Sequence, residues 1–124
     1  KNKGEQFVAK YLLSNTRAIR TPSGLIYNEI IAGLGKQATA ESTVTVNYAG
    51  TFIDGTTFDA SKTPVTFQLS RVILGWKEGV ALMREGTKAE LVVPSSLGYG
   101  DEGSGQSIPG GATLVFNVEL VKVE

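Results

Sequence analysis

Apolar residues recur along this chain with two different periods. In residues 3–15, Phe7, Val8, Tyr11 and Leu12 share one face at helical spacing, with Lys3, Gln6 and Lys10 elsewhere. That predicts a helix ended by Ser14-Asn15. No capping residue opens it, so it reads as the last turns of a longer helix. Thr21-Pro22-Ser23-Gly24 then has turn chemistry and closes a linker. From residue 25 the pattern becomes that of strands. Residues 25–31 are rich in Ile, and Gly33 and Gly35 break the run. Thr43-Val44-Thr45-Val46-Asn47-Tyr48 alternates, which puts Val44, Val46 and Tyr48 on one side. Thr51-Phe52-Ile53 meets Asp54-Gly55, a strong hairpin signal, and Thr56-Thr57-Phe58-Asp59 is the return arm. Residues 64–69 alternate again, and residues 89–93 form a strand stopped by Pro94. In residues 113–123, Leu114, Phe116, Val118 and Leu120 fall on one face.

One segment inside this series is helical. Trp76, Gly79, Val80 and Met83 follow i, i+3, i+4, i+7 spacing, and Gly86 is read as the residue that ends the helix. The Trp opens the helix and points toward the core. Gly75, just before it, is read as room for a ligand's backbone. Trp76 is then either the floor of an apolar pocket or simply core. The predicted fold class is α+β, an antiparallel sheet wrapped around one short helix, with an N-terminal helical extension. Residues 94–113 form a long loop with six Gly. Such a loop is functional or disordered. Tyr99 and Ile108 supply something to pack, and the two readings stay open on these grounds.

Composition narrows the chemistry. A chain of 124 residues suits one domain with a real core. Its formal net charge of zero gives no reason to expect binding to nucleic acid or anionic lipid, and no apolar run is long enough for a membrane span. The sequence opens at Lys1 with neither Met nor a signal peptide, so a processed form or a cut piece is expected. There is no Cys and no His, which excludes Ser-His-Asp and Cys-His catalysis, disulfides and ordinary zinc sites. Asp54, Asp59 and Asp101 do not form a calcium loop, and the Gly-containing strings lack phosphate-loop spacing. An enzyme built on this chain does chemistry that needs no strong nucleophile and no metal, and no cofactor is expected.

Five strings then decide the family comparison. They are Val46-Asn47-Tyr48-Ala49-Gly50, Asp54-Gly55-Thr56-Thr57-Phe58-Asp59, Val72-Ile73-Leu74-Gly75-Trp76-Lys77-Glu78-Gly79, Leu97-Gly98-Tyr99-Gly100, and the run from Ile108-Pro109-Gly110-Gly111 to Leu120. In this order and spacing the chain resembles the FKBP-type peptidyl-prolyl cis/trans isomerases over residues 22–124. The helix before them, with Thr21-Pro22-Ser23-Gly24-Leu25-Ile26-Tyr27, resembles the bacterial branch of macrophage infectivity potentiator proteins. Residues 1–21 are accordingly expected to be the end of a linker helix plus linker, and 22–124 the isomerase domain.

The resemblance implies a five- or six-stranded antiparallel half-barrel with a ligand pocket between sheet and helix. By motif position the pocket is lined by Tyr48, Phe58, Asp59, Phe67, Val72, Ile73, Trp76, Tyr99, Ile108 and Phe116. Trp76 is the floor for the proline ring, and the Ile73 N–H and the Tyr99 hydroxyl donate to substrate carbonyls. Asp59 organises Tyr48 rather than moving a proton. Each residue also has a plainer reading: Phe67, Val72 and Phe116 as core, the tyrosines as packing, Asp59 as a turn cap. Departures from better-known members are Val65 in place of an aromatic, a short stretch from Asp59 to Pro64, Ser104 where some carry His, and Leu74 before the Gly-Trp pair. They bear on substrate preference and drug affinity.

The expected function is acceleration of X–Pro rotation in folding proteins. The alternative is a chaperone or binding module that holds Pro-containing segments without turnover. Expected partners are proline-containing polypeptides, with rapamycin-type macrolides as inhibitors, and neither nucleic acid nor a membrane span. The face of Phe7, Val8, Tyr11 and Leu12 is expected either to dock on the domain or to continue a longer helix, and the second is favoured. On that reading these residues form a monomer and the longer protein a homodimer through a further N-terminal region. The expected location is the cell envelope or periplasm, with the cytoplasm as alternative.

Overall fold

The computed structural model describes residues 2–124. Helix α1 (Asn2–Ser14) comes first, followed by strands β1 (Ile19–Arg20), β2 (Ile26–Ile31), β3 (Thr43–Phe52), β4 (Thr57–Ala60) and β5 (Val65–Gln68). Helix α2 (Leu74–Ala81) and strands β6 (Lys88–Val93) and β7 (Leu114–Val123) complete the chain. All pairings are antiparallel, in the order β1-β2-β6-β7-β3-β4, with β5 also pairing β3. The sheet is open and curves around α2. It has seven strands rather than five or six, because two residues before the expected linker turn, Ile19 and Arg20, join its edge.

Alternation along the strands divides the side chains between two faces. On the concave face Leu25, Val44, Val46, Leu91, Val93, Leu114, Phe116 and Leu120 are buried around Trp76, Val80 and Met83. Helix α2 approaches β6 through two glycines one turn apart. A Cβ at Gly75 would stand 2.6 Å from Val93 Cγ1, and one at Gly79 2.8 Å from Leu91 Cδ2. Gly75 therefore makes room for the sheet, not for a ligand's backbone as its position beside Trp76 suggested. Gly86 is also reassigned. The helix ends at Ala81 with Leu82 as its cap. Gly86 (φ 95°) sits in the turn into β6, where its N–H donates to the Leu120 carbonyl at 2.8 Å. The left-handed backbone there is what calls for glycine.

On the convex face the registers Ile26↔Val92 and Val92↔Val115 set three apolar residues side by side. Val8 and Tyr11 of α1 are buried on this row, with Phe7 and Leu12 packed at its margin. The helix face thus has its partner within these residues, and the favoured reading, a partner in an N-terminal continuation, is corrected. The next row on the same face is polar: Asn28 pairs Glu90, which pairs Asn117. Tyr11 Oη donates to Glu90 Oε1 and accepts from Asn28 Nδ2 at 3.0 Å. Burial, with the Glu90 carboxylate beside it, holds the Tyr11 phenol well above its ordinary range. Among the described residues no helix is long and apolar enough to cross a membrane.

Candidate functional site

The site forms where α2 leaves part of the concave face uncovered. A cavity of about 320 Å³ opens there, lined by residues from β3, β4, β5, β7, the entrance to α2 and the long loop. Its floor is Trp76, 4% exposed. Three rings stand edge-on around the indole: Tyr48 at 5.3 Å and 84°, Phe67 at 5.5 Å and 77°, and Phe116 at 5.4 Å and 90° between centroids and planes. Such edge-to-face packing suits the quadrupoles of the rings and holds each in place. Phe58 extends the wall, edge-on to Phe116 at 5.7 Å. Gly50 lies beside both, and a Cβ there would fall 2.7 Å from Phe58 Cζ and 2.9 Å from Phe116 Cε1.

Tyr48 is held at three points. Strand β3 pairs β5 up to Val46 and β4 from Ala49 onward, so Tyr48 falls in the gap between the two partners. Ser61 fills that gap: its Oγ accepts from the Tyr48 N–H at 2.9 Å, and its own N–H donates to the Tyr48 carbonyl at 2.9 Å. At the other end Tyr48 Oη donates to Asp59 Oδ2 at 2.8 Å. Burial, together with this bond to Asp59, pushes the Tyr48 phenol up to about 12. It is a neutral donor throughout the physiological range.

The entrance to α2 supplies a free backbone donor. Leu69, fully buried, anchors a short 3-10 turn (Leu69–Arg71), after which Val72 and Ile73 are extended. The Ile73 carbonyl accepts from Trp76 N–H and Lys77 N–H, both at 3.0 Å. No group among the described residues accepts from the Ile73 N–H. Opposite, Tyr99 lies in the long loop and is 37% exposed. The loop is built by its own hydrogen bonds: Gly103 N–H to the Tyr99 carbonyl at 3.0 Å, and Ser104 with Ile108 reciprocally at 2.9 and 3.1 Å.

Nine of the residues assigned by motif position therefore line one cavity: Tyr48, Phe58, Asp59, Phe67, Val72, Ile73, Trp76, Tyr99 and Phe116. Ile108 does not. Its side chain is drawn into the core, 6% exposed, where it anchors the loop that carries Tyr99. Two residues were not anticipated. Arg71 lines the cavity, and its only sequence signal is its place next to Val72-Ile73. Ser61 supports Tyr48 without lining the cavity, and only the tertiary pairing shows the gap it fills. A wider cleft of about 470 Å³ between α1 and Ser95-Ser96 has no aromatic lining residue.

The sequence matches the family described as FKBP-type peptidyl-prolyl cis-trans isomerase over residues 35–121. The chain belongs to that family. It is 49% identical to the probable FKBP-type peptidyl-prolyl cis-trans isomerase FkpA of Neisseria meningitidis serogroup B, over 99% of this chain and 46% of that protein. The outer membrane protein MIP of Legionella longbeachae is 42% identical over 100% of this chain and 54% of that protein. In structure, the chain matches the crystal structure of FkpA from Escherichia coli with a TM-score of 0.94 and 40% identity, covering 99% of this chain and 58% of that one. These relatives bear out the resemblance to the FKBP-type isomerases and to their branch named for macrophage infectivity potentiator. The chain spans about half the length of the curated relatives it matches.

Proposed function

We propose that this FKBP-type domain accelerates cis/trans rotation about X–Pro bonds in polypeptides. The observation that carries the reading is the cavity itself, an aromatic box floored by Trp76 and of a size to take a proline ring. Rotation about the imide bond meets a barrier of about 18–20 kcal/mol because amide resonance must be broken. Resonance separates charge between oxygen and nitrogen, and the twisted state separates less. Water favours the planar form for that reason. A box of Tyr48, Phe58, Phe67, Trp76 and Phe116 removes that preference, and the Ile73 N–H and the Tyr99 hydroxyl, both at the cavity, would donate to carbonyls of a bound peptide. A gain of roughly 10³ to 10⁵ in rate calls for about 4–7 kcal/mol. No covalent bond forms and no proton moves, so Asp59 serves to orient Tyr48.

The same box would take rapamycin-type macrolides as inhibitors. Residues 1–21 are assigned as the end of a linker helix plus linker and 22–124 as the isomerase domain, since every residue lining the box lies in the second part. The protein is placed in the cell envelope or periplasm, a reading supported by a relative named an outer membrane protein. These residues alone are assigned as a monomer, and a longer form as a homodimer joined through a further N-terminal region. Light scattering tests that assignment, and a stable dimer of residues 1–124 would overturn it.

A proline-limited refolding assay tests the activity. Acceleration by substoichiometric protein is the expected result. An effect that needs equimolar protein would instead mark a module that holds Pro-containing segments, and the isomerase reading would fail.

A further inference from the structure

The box has two charged lining residues, and only one of them is engaged. Asp59, on β4, accepts the Tyr48 hydroxyl. Arg71 ends the short turn before α2, is exposed at the rim, and makes no hydrogen bond or ion pair with any described residue. A guanidinium is charged at every relevant pH and carries donors suited to a carboxylate. The chain from Arg71 to Ile73 is extended, so the two Cα atoms stand about 7 Å apart. The long Arg side chain spans that distance. Its charge is therefore within reach of a side chain on a peptide whose carbonyl accepts from the Ile73 N–H. Among the described residues no other Lys or Arg lines the box. Asp59 and Arg71 belong to different walls, so the box is polarised, and a carboxylate is favoured on the Arg71 side and disfavoured on the other.

Resting on the isomerase reading, we infer that Arg71 is a specificity-determining residue that favours peptides with an acidic side chain on one flank of the proline. Among charged residues at that position, Glu or Asp is thereby favoured and Lys or Arg disfavoured, while neutral residues remain substrates.

The test uses two series of short peptides. One varies the residue before proline among Glu, Gln, Leu and Lys, and the other varies the residue after it. Isomerisation is measured with the unaltered protein, with Arg71→Gln and with Arg71→Glu. The expected result is that at one flank the Glu-to-Lys ratio of kcat/KM falls roughly three- to tenfold in Arg71→Gln, as an exposed pair of this kind allows. The ratio falls further in Arg71→Glu, and in the unaltered protein the preference shrinks at about 1 M salt. A Glu-to-Lys ratio that both substitutions leave unchanged at both flanks overturns the inference. Turnover of the Leu peptides by the unaltered protein reports separately on the isomerase reading. Were that turnover absent, Trp76 fluorescence titrations with the same peptides would measure the ratio as binding, with the same two outcomes.

Discussion

The two faces of the one sheet are each covered by a helix, and to opposite effect. On the convex face α1 lies on the row Ile26, Val92 and Val115 and closes it, and Tyr11 ties the helix to Glu90 and Asn28 one row further on. On the concave face α2 meets β6 closely through Gly75 and Gly79, and Tyr48 and Phe67 stay half-buried beside Phe116 and Trp76 around an open cavity. Within β7 a single step changes the environment, since Val115 is under α1 and Phe116 walls the cavity. One helix can thus seal a face of a sheet while another leaves a site open on the opposite face.

The largest expected effect lies on the open face. Trp76→Ala removes the ring against which three others pack, so it should cost about 3–5 kcal/mol of stability and abolish peptide binding. Denaturant unfolding measures the first. Because that variant risks unfolding, Trp76→Phe gives the binding measurement in a folded protein, and undiminished affinity for a pipecolinyl macrolide there would take Trp76 out of the site.

A smaller effect is expected on the sealed face. Tyr11→Phe leaves the ring in place but deprives Glu90 and Asn28 of a partner, at about 1–2 kcal/mol. Turnover of short peptides should not change. A fall in kcat/KM would show that the two faces are coupled. The Tyr11 phenol is held above its ordinary value, so its share of stability is complete below pH 10 and lost as pH rises beyond it.

The smallest effect concerns Asp59. Asp59→Asn should lose far less than the roughly 10²-fold that removal of a proton-transfer group costs. The rate should be nearly flat from pH 6 to 8, since the chain has no His or Cys. The folded Tyr48 value of about 12 stands above the ordinary 10.0, so its contribution is whole below pH 10 and fades as pH passes through 12. A bell-shaped profile that disappears in Asp59→Asn would reveal acid–base work on the open face.

Much of this protein is determined by its sequence alone. Helical spacing in residues 3–15, alternation in residues 43–48, and the Asp54-Gly55 turn are local matters of backbone geometry, and each element forms close to its expected place. The five strings are read without a structure for the same reason, because each acts through a short piece of chain. Apolar runs such as Leu91-Val92-Val93 and Leu114-Val115-Phe116 also carried a sign that the central strands are buried on both faces, and hence that α1 has a place to dock. What the sequence left undecided is which side chains meet across the fold. Ile108 turns into the core, Arg71 reaches the rim, Ser61 fills a gap between two strands, and Gly75 serves β6. Each outcome depends on close packing between segments far apart in the chain, where one strand's register or one helix's distance of approach selects the neighbour.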